Sequence, residues 1–114
     1  MKKVFTILLL AGSLLTGCED AEVAKGTPKC IKEKIESFAK ETICEDEVKV
    51  DEYLFQDETV YLFAEGNCIA DGGAKVYNAD CQYIGYLGGF GGLNDINGVD
   101  FRMSATFQRT VWEK

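Results

Sequence analysis

Five cysteines and no histidine frame the chemistry open to this 114-residue chain. A thiol can be acylated, oxidised to a disulfide or bound to a metal, and the spacing between thiols helps decide among these. Cys30, Cys44, Cys68 and Cys81 are separated by 13, 23 and 12 residues. A zinc site built from four thiolates uses closely spaced cysteine pairs, so no metal site is expected from them. Without histidine, neither a Ser-His-Asp nor a Cys-His arrangement can form. Carboxylates are plentiful, as in Glu45-Asp46-Glu47 and Asp51-Glu52. A catalytic pair needs a desolvated carboxyl with a displaced pKa. In a chain with 19 acidic residues such runs are expected to form a wet edge, and no catalytic residue is assigned. The stretch "NDINGVD" offers Asp95, Asn97 and Asp100 as oxygen ligands at positions one, three and six of a calcium loop. Positions five and twelve fall on Val99 and Thr106, and the glycine stands at 98, so the EF-hand pattern is broken and a turn with Asx hydrogen bonds is the simpler expectation. "GYLGGFGG", residues 85–92, lacks the Gly-Lys-Ser/Thr of a phosphate loop, and no cofactor is expected.

The fifth cysteine stands apart. Lys2 and Lys3 precede an apolar stretch from Val4 to Leu15, long enough for a signal peptide and too short for a permanent transmembrane helix. Leu15-Thr16-Gly17-Cys18 closes it and resembles the lipobox of bacterial lipoproteins. In that family the cysteine thiol receives a diacylglycerol, the chain is cut before it, and the new amine is acylated. The resemblance implies a signal peptide over 1–17, lipidation at Cys18, a lipidated tether over 18–28 and one domain over 29–114. Each buried CH₂ contributes about 0.8 kcal/mol, so two or more chains hold a protein stably where one does not. Acidic Glu19, Asp20 and Glu22 after the cysteine resemble the surface-export signal of Bacteroidota-type lipoproteins. The expected location is the cell envelope, at the outer membrane and open to surface exposure.

Losing Lys2 and Lys3 leaves ten basic against 19 acidic residues, which moves the net charge from −7 to −9. That charge argues against nucleic acid as a partner and against adhesion to anionic headgroups. It permits attraction to basic proteins.

The elements that must position these groups can be read from periodicity. Thr27 is placed to cap a helix and Pro28 to open it, with Ile31, Ile35, Phe38 and Ala39 on one stripe and an end near residues 41–43. Residues 48–55 and 59–64 are rich in β-formers and read as a hairpin around Gln56-Asp57-Glu58. That turn sets Val48, Val50, Leu54, Val60 and Leu62 on one face and Tyr53, Phe55, Tyr61 and Phe63 on the other. One face is expected to meet the helix and the other to stay partly open. Short strands follow at 74–77 and 82–87, then a glycine-rich loop at 88–98, then a last strand at 105–112 with Ala105, Phe107 and Val111 on one side. The expected fold class is α+β: one N-terminal helix on a four- or five-stranded antiparallel sheet.

The even remainder of four cysteines in an exported chain reads as two disulfides. Cys30 and Cys44 at opposite ends of the helix lie roughly 20 Å apart, too far for a bond whose Cα atoms must come within about 7 Å. The hairpin carries Cys44 close to Cys68, which leaves Cys30–Cys81. A Cys68–Cys81 bond remains open, since both flank loops; it leaves two free thiols.

Aromatic residues Tyr53, Tyr61, Tyr86, Phe90 and Trp112 are candidates for a binding patch. Beyond the lipobox, "VKVDEYLFQDETVYLFAEGNC", "GYLGGFGGLNDINGVDF" and the closing "RTVW" resemble an uncharacterised family of small Bacteroidota lipoproteins, a domain of unknown function. The resemblance carries no catalytic residues with it. The expectation is a lipid-anchored domain that binds an envelope or extracellular protein without enzyme activity. The alternatives are an inhibitor of a basic hydrolase such as lysozyme and a small carboxylate-dependent envelope enzyme.

Overall fold

The computed structural model describes residues 22–68, 72–88 and 93–114. Cys18, Glu19, Asp20 and Phe90 lie outside the described residues.

The first element is helix α1, Lys29–Glu41. Ile31 and Ile35 are fully buried, and Phe38 and Ala39 pack against the same cluster, so the apolar stripe faces the body as its spacing requires. Each buried isoleucine contributes about 1.5–3 kcal/mol relative to exposure. The start differs from expectation. Pro28 occupies the N-cap position, and Thr27 Oγ1 donates to the Ala24 carbonyl (2.8 Å) instead of accepting from the helix. Lys40 complements the dipole in the last turn, and Thr42, extended at ψ 141°, ends the helix.

Four strands follow as a meander: β1 (Val48–Phe55), β2 (Glu58–Glu65), β3 (Gly73–Asn78) and β4 (Tyr83–Gly88). Strand β7 (Thr106–Glu113) returns beside β1, giving an antiparallel sheet in the order β4-β3-β2-β1-β7. The β1–β2 turn holds two residues, not three. Gln56 and Asp57 both take positive φ, 53° and 66°, and Phe55 pairs with Glu58. Such a turn matches the right-handed twist of the strands it joins. One residue fewer in the turn inverts the parity of β2 against β1. Val50 therefore pairs with Phe63, and the two expected faces are corrected: Val48, Val50, Tyr61 and Phe63 lie beneath the helix, while Phe55 and Val60 face the other way.

That second face is covered. A two-stranded ribbon, β5 (Asp95–Ile96) and β6 (Val99–Asp100), and a short helix, α2 (Phe101–Ser104), fold across it. Ile96 and Phe101 bury against Phe55, Val60, Val76 and Leu87. Gly85 allows the approach, because a Cβ there would stand 2.7 Å from Ile96 Cγ1. The expected loop at 88–98 is in its later part a folded ribbon. The α+β expectation is overturned with it. Strand accounts for 48% of the described residues, so the protein is mostly β, with one main helix on a five-stranded sheet and a small second sheet. β7 is also irregular. Register shifts against β1 place Phe107 beside Tyr53, whereas Val111 and Trp112 join the helix-side cluster, so Phe107 and Val111 do not share a face.

Both expected disulfides are present, Cys30–Cys81 and Cys44–Cys68. They fix the diagonal of α1. Its start is tied to the β3–β4 turn, and its end is held near Lys114, whose Nζ donates to the carbonyls of Thr42 (3.3 Å) and Cys44 (2.7 Å). Val23 and Ala24 pack on the helix-side cluster, and Ala24 N–H donates to the Val111 carbonyl (2.8 Å). The last part of the expected tether is thus docked along β7.

Candidate functional site

A diagonal helix cannot cover a rectangular sheet, and the two corners it misses are treated differently. At the β7 corner the gap is filled from within. Arg109 Nε donates to Glu52 Oε1 (3.1 Å), and its Nη1 donates to the Lys25 carbonyl (2.8 Å), clamping the docked N-terminal segment. Tyr61 stands opposite the same Glu52 in the β1–β2 register. Burial first, and then the negative charge and hydrogen bond of Glu52, push the Tyr61 phenol up to about 12, with Arg109 opposing.

The opposite corner is open. A groove of about 500 Å³ runs between the later half of α1 and strands β2 and β3. Phe38 and Tyr77, both half-buried, form its aromatic surface; Phe63, 3% exposed, lies beneath and stands edge-on to both Phe38 (5.3 Å) and Tyr77 (5.2 Å). Lys34 Nζ sits 4.4 Å from the Tyr77 ring centroid, a cation–π contact. Lys75 stands opposite Phe63 on β3. Glu41 and Glu65 line the end nearer the Cys44–Cys68 bond, where Ile43 is 76% exposed. Among the described residues none of Lys34, Lys75, Glu41 and Glu65 is in an ion pair. A second depression of about 490 Å³ lies on the other face, beside Tyr53, Leu62 and Phe101. Gly72 and Gly88 on its rim adjoin residues outside the described set.

The expected aromatic patch does not assemble. Tyr61 and Trp112 are core residues, 3% and 8% exposed. Tyr53 lies on the opposite face, edge-on to Phe101 and Phe107, and burial raises its phenol pKa, with the Asp51 charge adding to it. Tyr86 is half-buried on β4, paired in register with Lys75. The calcium candidates are otherwise engaged: Asp100 Oδ1 accepts from Met103 N–H (3.0 Å) as the cap of α2, and Asn97 Nδ2 donates to Gln56 Oε1 (3.1 Å). Asp95 lies across the ribbon from Asp100. Among the described residues no group of three or more His, Cys, Asp or Glu side chains is placed to hold a metal.

Asp51 and Glu52, expected on a wet edge, are instead largely buried, and they separate. Asp51 and Glu52 are neighbours on β1 and so project to opposite faces. Asp51 accepts from Thr110 Oγ1 (2.7 Å) with Lys49 Nζ at 3.7 Å, and Glu52 is held by Arg109. Each satisfies an internal partner, and they cannot act on one substrate atom.

Sequence reasoning did not find the groove. Lys34 and Glu41 look like ordinary wet positions on an amphipathic helix, and Lys75 like a strand-surface charge. Ile43, an isolated apolar residue just past the helix end, is the one signal that could have pointed here.

Residues 36–114 match the family model described as Domain of unknown function (DUF6970). No curated protein and no solved structure matches the chain.

Proposed function

The chain belongs to the DUF6970 family, a domain of unknown function, and from that premise we propose that it is a non-enzymatic binding domain that engages a partner protein in the groove beside α1. The observation that carries this reading is the groove itself: exposed Ile43 and aromatic surface bordered by four charges with no ionic partner among the described residues. Aromatic surface flanked by charge suits an interface better than a solvated face.

The domain is tied to the envelope by lipid on Cys18, as a small lipoprotein of Bacteroidota type. The run from Lys2 to Cys18 supports this, as do the acidic residues that follow it and two disulfides that suit an oxidising compartment. The partner is a protein of the outer membrane or the cell's surroundings. Inhibition of a basic hydrolase is the second reading, favoured by exposed Glu45, Asp46 and Glu47 at one end of the body.

The test places a photo-crosslinking phenylalanine at Ile43 and, as control, at Asp57 on the β1–β2 turn, in intact cells. One specific adduct from position 43 and none from 57 is expected. Equal labelling from both, or none from either, sinks the groove as a binding site. A partner lost steeply as salt rises favours the hydrolase reading. Labelled palmitate absent from the wild-type protein sinks the anchor; loss in a Cys18→Ser variant is the expected control.

A further inference from the structure

We propose that the groove, if it is the binding site argued above, takes a short extended peptide segment bearing a carboxylate at one end and a cationic group at the other. The groove is electrically polar along its length. Lys34 lies over Tyr77, at the end nearer the Cys30–Cys81 bond. Lys75 is one register step further, opposite Phe63. Glu65 lies two residues past Phe63 on the same face of β2, and Glu41 two turns past Lys34 on α1. Lys34 therefore marks one end, Lys75 stands level with Phe63 near the middle, and the carboxylates lie at the other end.

This arrangement selects by sign and by length. A simple anion drawn to Lys34 and Lys75 is repelled as it extends toward Glu41 and Glu65, and a simple cation meets the reverse. Only a ligand with both charges, correctly ordered, gains at both ends. Seven helical residues separate Lys34 from Glu41, an axial rise of about 10 Å. An extended chain advances about 3.3–3.6 Å per residue, so three to four residues span the groove. The carboxylate of the segment belongs at Lys34 and Lys75, and its ammonium or basic group at Glu41 and Glu65. Its central side chain lies against Phe38, which is half-buried above the closed Phe63 ring.

The probe is a pool of random tri- and tetrapeptides built from uncharged residues, offered to the full chain in detergent by equilibrium dialysis. Four forms are compared: free ends, N-acetylated, C-amidated and doubly blocked. At low salt the free-ended pool is expected to be retained at least tenfold over the doubly blocked one. K34Q/K75Q should abolish the preference for a free carboxylate and leave that for a free amine. E41Q/E65Q should do the opposite. Unfolding midpoints of both variants, expected to lie close to the parent's at these surface positions, exclude misfolding as the cause. Equal retention of free and blocked pools overturns the inference, as does an unchanged carboxylate preference in K34Q/K75Q. If position 43 still crosslinks a partner in cells while the pools are retained equally, the peptide chemistry fails and the groove stands. If both are negative, both readings fail.

Discussion

Gly66 should resist a methyl group on two counts, its backbone conformation and its neighbours. Its φ is +99°, and a Cβ there would lie 2.5 Å from Cys44 Cβ, 2.8 Å from Val48 Cγ2 and 3.0 Å from the Asp46 carbonyl oxygen. Carbon atoms rest about 3.5–4.0 Å apart, so Gly66→Ala drives an overlap of about 1 Å into atoms fixed by a disulfide and a core strand. The backbone conformation costs an L-residue about 1–3 kcal/mol, and overpacking adds about 1–3 kcal/mol. A total near 4 kcal/mol lowers the Tm of a domain this size by about 20 °C. The mechanism makes a second, sharper demand. The overlap is severe because Cys44–Cys68 closes a 24-residue separation and prevents the 44–47 segment from withdrawing. In a C44S/C68S background the segment can retreat, and the penalty should fall by about 1–2 kcal/mol, the coupling expected of residues in contact. Urea unfolding of the parent, G66A, C44S/C68S and the triple variant measures this, with sucrose present to keep all four folded. A G66A penalty under about 1 kcal/mol, or one unchanged by loss of the disulfide, would refute the reasoning.

The other expectations are these. Removing Cys30–Cys81, which spans 51 residues, should cost about 4 kcal/mol in the chain-entropy picture, slightly more than removing Cys44–Cys68 at about 3.5 kcal/mol; urea midpoints of the two double-serine variants give the order. The fold favours the neutral Tyr61 phenol, whose pKa is raised to about 12 from 10.0, so the stability it contributes is complete below pH 10 and is lost as pH rises to about 12; Tyr61→Phe should lack this slope, on the order of 2 kcal/mol, between those limits. Arg109→Met releases the Lys25 carbonyl, and limited trypsin digestion should cut after Lys25 roughly fivefold faster or more, with the remaining body intact. Asp57→Gly relieves a positive φ of 66° in the β1–β2 turn and should stabilise by about 0.5–1 kcal/mol in thermal unfolding.

Much of the framework was legible because it rests on local rules. Ile31, Ile35 and Phe38 fall at helical spacing, a stiff helix between Cys30 and Cys44 forbids their bond, and the hairpin brings Cys44 to Cys68, which points to the two pairings observed. The illegible parts share one cause: they depend on contacts distant in sequence. Whether the turn at Gln56-Asp57 holds two or three residues is decided by twist matching and by which side chains the helix can bury, yet that one residue determines whether Phe63 or Leu62 faces α1. The run from Leu93 to Gly98 reads as loop, and 99–104 as no element, because the apolar residues Ile96, Val99 and Phe101 are too sparse to show a period. They become a ribbon and a turn of helix when Gly85 lets Ile96 approach the sheet. Trp112 resembles an exposed aromatic until the register shifts in β7 turn it beneath Phe38.

The groove follows from the same covalent geometry. With its start bonded at the β3–β4 turn and its end held at Lys114, α1 must cross the sheet obliquely. Two corners are then uncovered. If stability alone shaped the body, both would be filled alike, since a corner left open beside exposed Ile43 and half-buried Phe38 and Tyr77 forgoes about 25 cal/mol for each apolar Å² left wet. The β7 corner is filled, with Val23 and Ala24 docked and Arg109 holding Lys25. The β3 corner carries Lys34, Lys75, Glu41 and Glu65 around Phe63 and Tyr77 instead. Burying those four charges without partners would cost several kcal/mol each, and among the described residues none pairs with them, so the described body leaves this corner open. A ligand that brings the opposite charges in the opposite order would close it, and that complementarity is what the proposed peptide supplies.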